Sequence, residues 1–142
     1  MGSKPRFHYS CQLKLQIRGN SKSTGEDPKN WDIREDTPID GKVFYENGTL
    51  FHGLRFQGVK KLLREDTSSL LLSCRLSDFD SKELGLFSRS RVSPMILDLG
   101  YQAMLIWARK HYECASLPLA FKLSEHFFTP TPQEEFFISL NV

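Results

Sequence analysis

The sequence has no stretch near the roughly 18 charge-free apolar residues that a membrane span needs, and no basic-then-apolar N-terminus of the signal-peptide kind. Neither a membrane partner nor secretion is indicated, and a cytoplasmic setting is the expectation. Cysteine is scarce. Cys11, Cys74 and Cys114 are odd in number, far apart and without metal-ligand spacing, which argues against a disulfide framework and for reduced, buried or idle thiols. Histidine is scarce too, and no third ligand is spaced to join His111 and His126, so no metal is expected. A charge excess is also missing: 19 Lys and Arg face 17 Asp and Glu, and the densest basic run (Lys60, Lys61, Arg64) is offset at once by Glu65 and Asp66. That pattern reads as a solvated face, with no nucleic acid partner. At 142 residues the chain lacks the length for two domains of ordinary size.

Aromatics are present in excess, with eleven Phe. "FHYSCQLKLQI" (Phe7 to Ile17) alternates with a period of two and predicts a half-buried strand. The polar stretch that follows, rich in Gly, Ser, Asp and Pro, reads as a linker in which only Trp31 would want a docking site. "KVFYE", "GVKKLLRED" and "SSLLLSCRL" (Ser68 to Leu76) read as strands, and "SDFDSKELGLFSRSR" as a polar connection. "SLPLAFKLSEHFF" and "EEFFISLNV" read as two more strands split by the "TPTPQ" turn.

"SPMILDLGYQAMLIWARKHY" predicts a helix of about 18 residues, with Ser93 as N-cap, Pro94 at the first helical position, and Lys110 and His111 in the last turn. Its apolar residues run nearly all the way round, which predicts burial on all sides. The class implied is α+β: an antiparallel sheet wrapped around one long buried helix.

Asp98 sits in the first half of that helix between Leu97 and Leu99, and Gln102 follows at i+4 on the same face. An ionised carboxylate buried without a partner costs several kcal/mol, so it must be paired, hydrated or protonated. A protonated carboxylic acid near pH 7 can donate a proton, and a Gln one turn on can orient it. The plainer alternative is an acidic residue that favours the helix N-terminus through the macrodipole. His52, in "GTLFHGLRFQGV", remains open between base, pocket wall and structural histidine.

"YENGTLFHGLRFQGV", then "SPMILDLGYQAMLIW", then "SLPLAF" together resemble the C-terminal half of the dehydratase domains of polyketide and polyunsaturated fatty acid synthases. Those domains are double hotdogs, each half a helix wrapped in an antiparallel sheet. The second half carries G-P-x-F-Q and then Asp-x-x-x-Gln (or His) on its central helix. Gly53, Leu54, Phe56 and Gln57 match the first motif with Leu54 in place of Pro, and Asp98 and Gln102 match the second. The resemblance divides the chain into an N-terminal strand (1–18), a linker (19–41) and a hotdog domain (42–142).

In such domains a histidine base removes the C2 proton of a 3-hydroxyacyl thioester, and an aspartic acid protonates the departing hydroxyl to leave a 2-enoyl thioester. The resemblance implies Asp98 as that acid, Gln102 as its orienting partner, and His52, Gly53, Leu54, Phe56 and Gln57 around the acyl chain, Gly53 through a tight turn or close approach to the thioester. It implies no cofactor, and as partners an acyl carrier protein with a phosphopantetheine-bound acyl chain and a complementary N-terminal hotdog or a second copy. The base motif, H-x-x-x-G-x-x-x-x-P, fits none of the four histidines, since Gln12, Phe56, Ala115 and Pro130 stand where its glycine belongs. A first hotdog would have to supply the base, and the isolated chain is expected to be inactive. The opening "MGS" reads as an expression scar of an excised piece, and the short C-terminus predicts an exposed sheet edge. The competing readings are a non-catalytic hotdog that binds acyl chains or carrier protein, or that has a structural role, and a hotdog thioesterase.

Overall fold

The computed structural model describes residues 38–78, 93–124, 130–132 and 134–142. The expected N-terminal strand, Trp31, most of the polar connection that begins at Ser77 and His126 lie outside the described residues.

The elements in chain order are β1 (Ile39–Asp40), α1 (Lys42–Glu46), a single 3-10 turn (Leu54–Phe56), β2 (Val59–Glu65), β3 (Ser69–Arg75), α2 (Pro94–Tyr112) and β4 (Glu135–Asn141). The strands form one antiparallel sheet in the order β1-β2-β3-β4. A sheet of this kind with one long helix against it makes the fold α+β, of the hotdog type.

β2 and β3 form a hairpin in which Leu62 faces Leu72 and Glu65 faces Leu70, with two irregularities along β2. The Asp66 carboxylate closes the turn by accepting the amides of Ser68 and Ser69, each at 2.8 Å, and both serine hydroxyls. β3 is buried from Ser69 to Cys74, as a run of "LLL" in a central strand demands. β4 runs alongside in register, Leu70 opposite Leu140 and Cys74 opposite Phe136.

α2 starts at Pro94, although the Ser93 hydroxyl makes no capping bond, and ends at Glu113 in the left-handed conformation (φ 52°) after Arg109, Lys110 and His111. Leu99, Gln102, Ala103 and Ile106 recur at i, i+3, i+4 and i+7, and the three apolar ones pack on Leu50, Val59, Leu62, Leu70, Leu72 and Cys74. At its far end Trp107 Nε1 donates to the Asp66 carbonyl at 3.2 Å, and Lys110 Nζ meets Glu65 at 2.6 Å. These contacts fix the C-terminal end of the helix against the hairpin.

The structure corrects three expectations. "KVFYE" is helix: Asp40 Oδ1 accepts the Lys42 amide at 2.9 Å, the chain leaves the sheet after β1, and one helical turn brings Phe44 and Tyr45 onto the core. α2 is not buried on all sides, because a single sheet covers one face and Met104 stays 48% exposed. The segment "SLPLAFKLS" forms no strand; Leu117, Leu119, Phe121 and Leu123 are exposed, and a period of two records an apolar face without supplying a neighbour to pair with.

Candidate functional site

The helical period places Asp98 and Gln102 one above the other on α2, and the structure joins them: Gln102 Nε2 donates to Asp98 Oδ2 at 2.7 Å. Gln102 is fully buried and its polar atoms are all satisfied. Nε2 also donates to the Phe56 carbonyl at 2.8 Å, and Oε1 accepts from the Tyr45 hydroxyl at 2.7 Å. The Tyr45 oxygen in turn accepts the Val59 amide at 3.1 Å. Burial pushes the Tyr45 phenol up to about 12 despite that amide, so it is a neutral donor at physiological pH.

His52 comes to the same place from the loop before the 3-10 turn. Its Nε2 stands 3.5 Å from Asp98 Oδ1, an electrostatic contact longer than a hydrogen bond. The imidazole is largely buried, stacked on Phe51 with ring centroids 4.6 Å apart, and its Nδ1 is buried without a hydrogen-bond partner. Gln57 braces the loop by donating Nε2 to the His52 carbonyl at 3.0 Å, and the Phe56 amide bonds the Gly53 carbonyl at 2.8 Å.

Asp98 opens onto a pocket of about 420 Å³ walled by Phe51, His52, Gly53 and Phe56 on one side, Tyr101 and Leu105 from α2, and Leu117 and Pro118. The space is mostly apolar with a carboxyl group and an imidazole at one end, which suits an apolar ligand that carries a polar group. Of the residues expected around it, His52, Gly53 and Phe56 line the pocket. Leu54 points out and is 83% exposed, and Gln57 acts on the loop's backbone.

Gly53 has ordinary backbone angles (φ -65°, ψ 162°) and open space where a Cβ would stand. Gly58 is the compressed glycine: a Cβ there would lie 2.8 Å from the Arg75 carbonyl oxygen and 2.9 Å from a Leu99 methyl. Its absent side chain lets the loop pass between β3 and α2. Tyr45 is the site residue that sequence reasoning missed; its one signal is an aromatic hydroxyl beside Phe44 in a segment that reads as a strand.

Among the described residues no group of three or more His, Cys, Asp or Glu is arranged to hold a metal ion. No described helix is long and apolar enough to cross a membrane.

A hotdog-type fold with an Asp and a Gln on its long helix, opening onto an apolar pocket, defines a class that comparison makes specific. Residues 23–137 match the family described as polyketide synthase dehydratase N-terminal domain, and the chain belongs to that dehydratase family. It is 33% identical over 108 residues to a polyunsaturated fatty acid synthase subunit from Thraustochytrium sp., a match that covers 72% of this chain and 4% of that relative's length. No solved structure matches it. The matched family is described as an N-terminal domain, whereas the motifs around Gly53 and Asp98 resemble those of the second hotdog.

Proposed function

We propose that this chain is the acid-bearing second hotdog of a dehydratase acting on 3-hydroxyacyl chains held by an acyl carrier protein. The observation that supports the reading is the placement of Asp98: it lines the pocket, with one oxygen held by a buried Gln102 and the other 3.5 Å from His52 Nε2. In the reaction, a base removes the C2 proton, the electrons form the C2–C3 double bond, and Asp98 gives its proton to the 3-hydroxyl as the C–O bond breaks. The products are water and a 2-enoyl thioester, with the base protonated and Asp98 ionised.

The base comes from a complementary first hotdog carrying H-x-x-x-G-x-x-x-x-P, on the same polypeptide or on a partner chain. The exposed Leu117, Leu119 and Phe121 next to the pocket support a partner hotdog there. The phosphopantetheine arm of a carrier protein delivers the acyl chain, His52, Gly53 and Phe56 line its path, and no cofactor is needed. The site works in the cytoplasm.

The test is to supply the matching N-terminal hotdog, assay dehydration of a carrier-bound 3-hydroxyacyl chain, and repeat it with Asp98→Asn. A loss of about 10²–10⁴ in turnover supports the acid role. Unchanged turnover removes it, and binding of the acyl carrier with no dehydration or hydration by either form supports the non-catalytic hotdog.

A second reading is favoured by the 3.5 Å approach of His52 to Asp98: His52 itself is the base, within one hotdog. Dehydration by the chain without any complementary half, abolished by His52→Ala, would establish it.

A further inference from the structure

Gln102 has an amide whose two ends look alike in shape and opposite in hydrogen bonding, so what fixes its direction fixes Asp98 as well. The Phe56 carbonyl can only accept, which draws the NH2 end toward it. On the other side stands the Tyr45 hydroxyl, and its direction is also imposed. The Val59 amide can only donate, so the hydroxyl oxygen accepts that bond and its single hydrogen is left for Gln102 Oε1. The chain Val59 N–H to Tyr45 to Gln102 to Asp98 therefore runs one way only, and each link is buried or half-buried.

The geometry points to Tyr45 as the positioning residue that, through Gln102, fixes which oxygen of Asp98 is held by the amide and which is left beside His52. With both hydrogens of Gln102 Nε2 committed to Phe56 and to Asp98 Oδ2, the Oδ2 atom accepts, and because the carbonyl oxygen of a carboxylic acid is a better acceptor than its hydroxyl oxygen, that bond favours the acid's proton on the other oxygen. Oδ1, which faces His52 Nε2, is left to hold it. The acid role rests on the proposed function; the orientation itself does not. Removal of the Tyr45 hydroxyl leaves Gln102 Oε1 without a donor in either orientation of the amide, since turned over it would face the Phe56 carbonyl and the Asp98 carboxylate, and the cost of that buried, unsatisfied oxygen favours an amide that leaves its place to reach water. The expected result is a mobile amide and an Asp98 no longer tied at Oδ2.

The experiment is 1H–15N spectroscopy of the Gln102 side-chain NH2 in the full chain. In the parent protein its two hydrogens are expected as separate, solvent-protected signals. In Tyr45→Phe, with the backbone spectrum otherwise kept, their exchange with water accelerates by about tenfold or more and the two signals shift together. Unchanged NH2 signals in folded Tyr45→Phe overturn the proposal. Should that variant fail to fold, Tyr45→3,5-difluorotyrosine retains the shape and strengthens the hydroxyl as a donor; it must displace the Gln102 NH2 signals, and their constancy overturns the proposal equally. In the dehydratase completed with its N-terminal hotdog, Tyr45→Phe lowers kcat by about tenfold with KM held. If the NH2 signals respond while Asp98→Asn leaves turnover intact, the positioning stands and the acid role falls.

Discussion

His52 Nε2 stands 3.5 Å from Asp98 Oδ1, on the side of the carboxylate that Gln102 leaves free. With the base supplied by another hotdog, His52 is wall and neighbour. His52→Ala in the completed dehydratase is then expected to lower kcat by about tenfold or less, whereas a true base would cost about 10²-fold or more. Single-turnover kinetics on a carrier-bound 3-hydroxyacyl chain separate the two.

Gly58 and Gly53 differ in what a methyl would meet. Gly58→Ala forces the Arg75 carbonyl or Leu99 to move and is expected to cost about 1–3 kcal/mol by urea unfolding. Gly53→Ala meets no atom within 4 Å and is expected to change stability by about 0.5 kcal/mol or less. A rise in KM for the acyl carrier substrate in Gly53→Ala, with stability kept, would show that its free space belongs to the substrate.

Leu72 is fully buried in the central strand, between Leu62 of β2 and Ile138 of β4. Leu72→Ala is expected to destabilise the fold by about 2–5 kcal/mol, read as a lower urea midpoint at unchanged slope.

The Asp66 carboxyl is held well below its usual range by hydrogen bonds from the Ser69 hydroxyl, the Ser68 amide and hydroxyl, and the Ser69 amide. A depressed folded-state pKa means stabilisation that is complete above the unfolded value of about 3.9 and lost as pH falls through the folded one. The urea midpoint of the parent protein should therefore drop on acidification below about pH 4 more steeply than that of Asp66→Asn. Parallel curves would show that the turn contributes nothing through this group.

Burial pushes the Cys74 thiol up to about 12, while Cys114 is exposed. Iodoacetamide at about pH 8 should label the Cys114 peptide and leave the Cys74 peptide unmodified until urea is added, as read by mass spectrometry.

Much of the fold is legible in the sequence because some segments carry several agreeing signals. Proline at the first helical position, a long apolar run and cations at its end define α2 almost to the residue, and "LLL" between polar neighbours defines β3. That Asp98 and Gln102 meet follows from their i+4 spacing, whereas their selection as site residues rests on the motif resemblance. "KVFYE" escapes such reading because five residues suit either period, and the deciding contact is the Asp40 carboxylate on the Lys42 amide. The apolar alternation of Leu117 to Leu123 is real, but pairing depends on a neighbour that no local pattern encodes. Tyr45 is invisible for a related reason: its importance lies in facing Gln102 across 57 positions of sequence.

The polar chain hangs on α1, α2 and the loop between α1 and β2, and the strands contribute to it a single amide, that of Val59. Lys60, Lys61, Arg75 and Ser139 meanwhile face solvent from the sheet. Chemistry and exterior are thus inherited on separate parts of the chain. A synthase that acquired a new neighbouring domain would be free to redraw these exposed sheet positions, one residue at a time, without disturbing the Asp98–Gln102 pair.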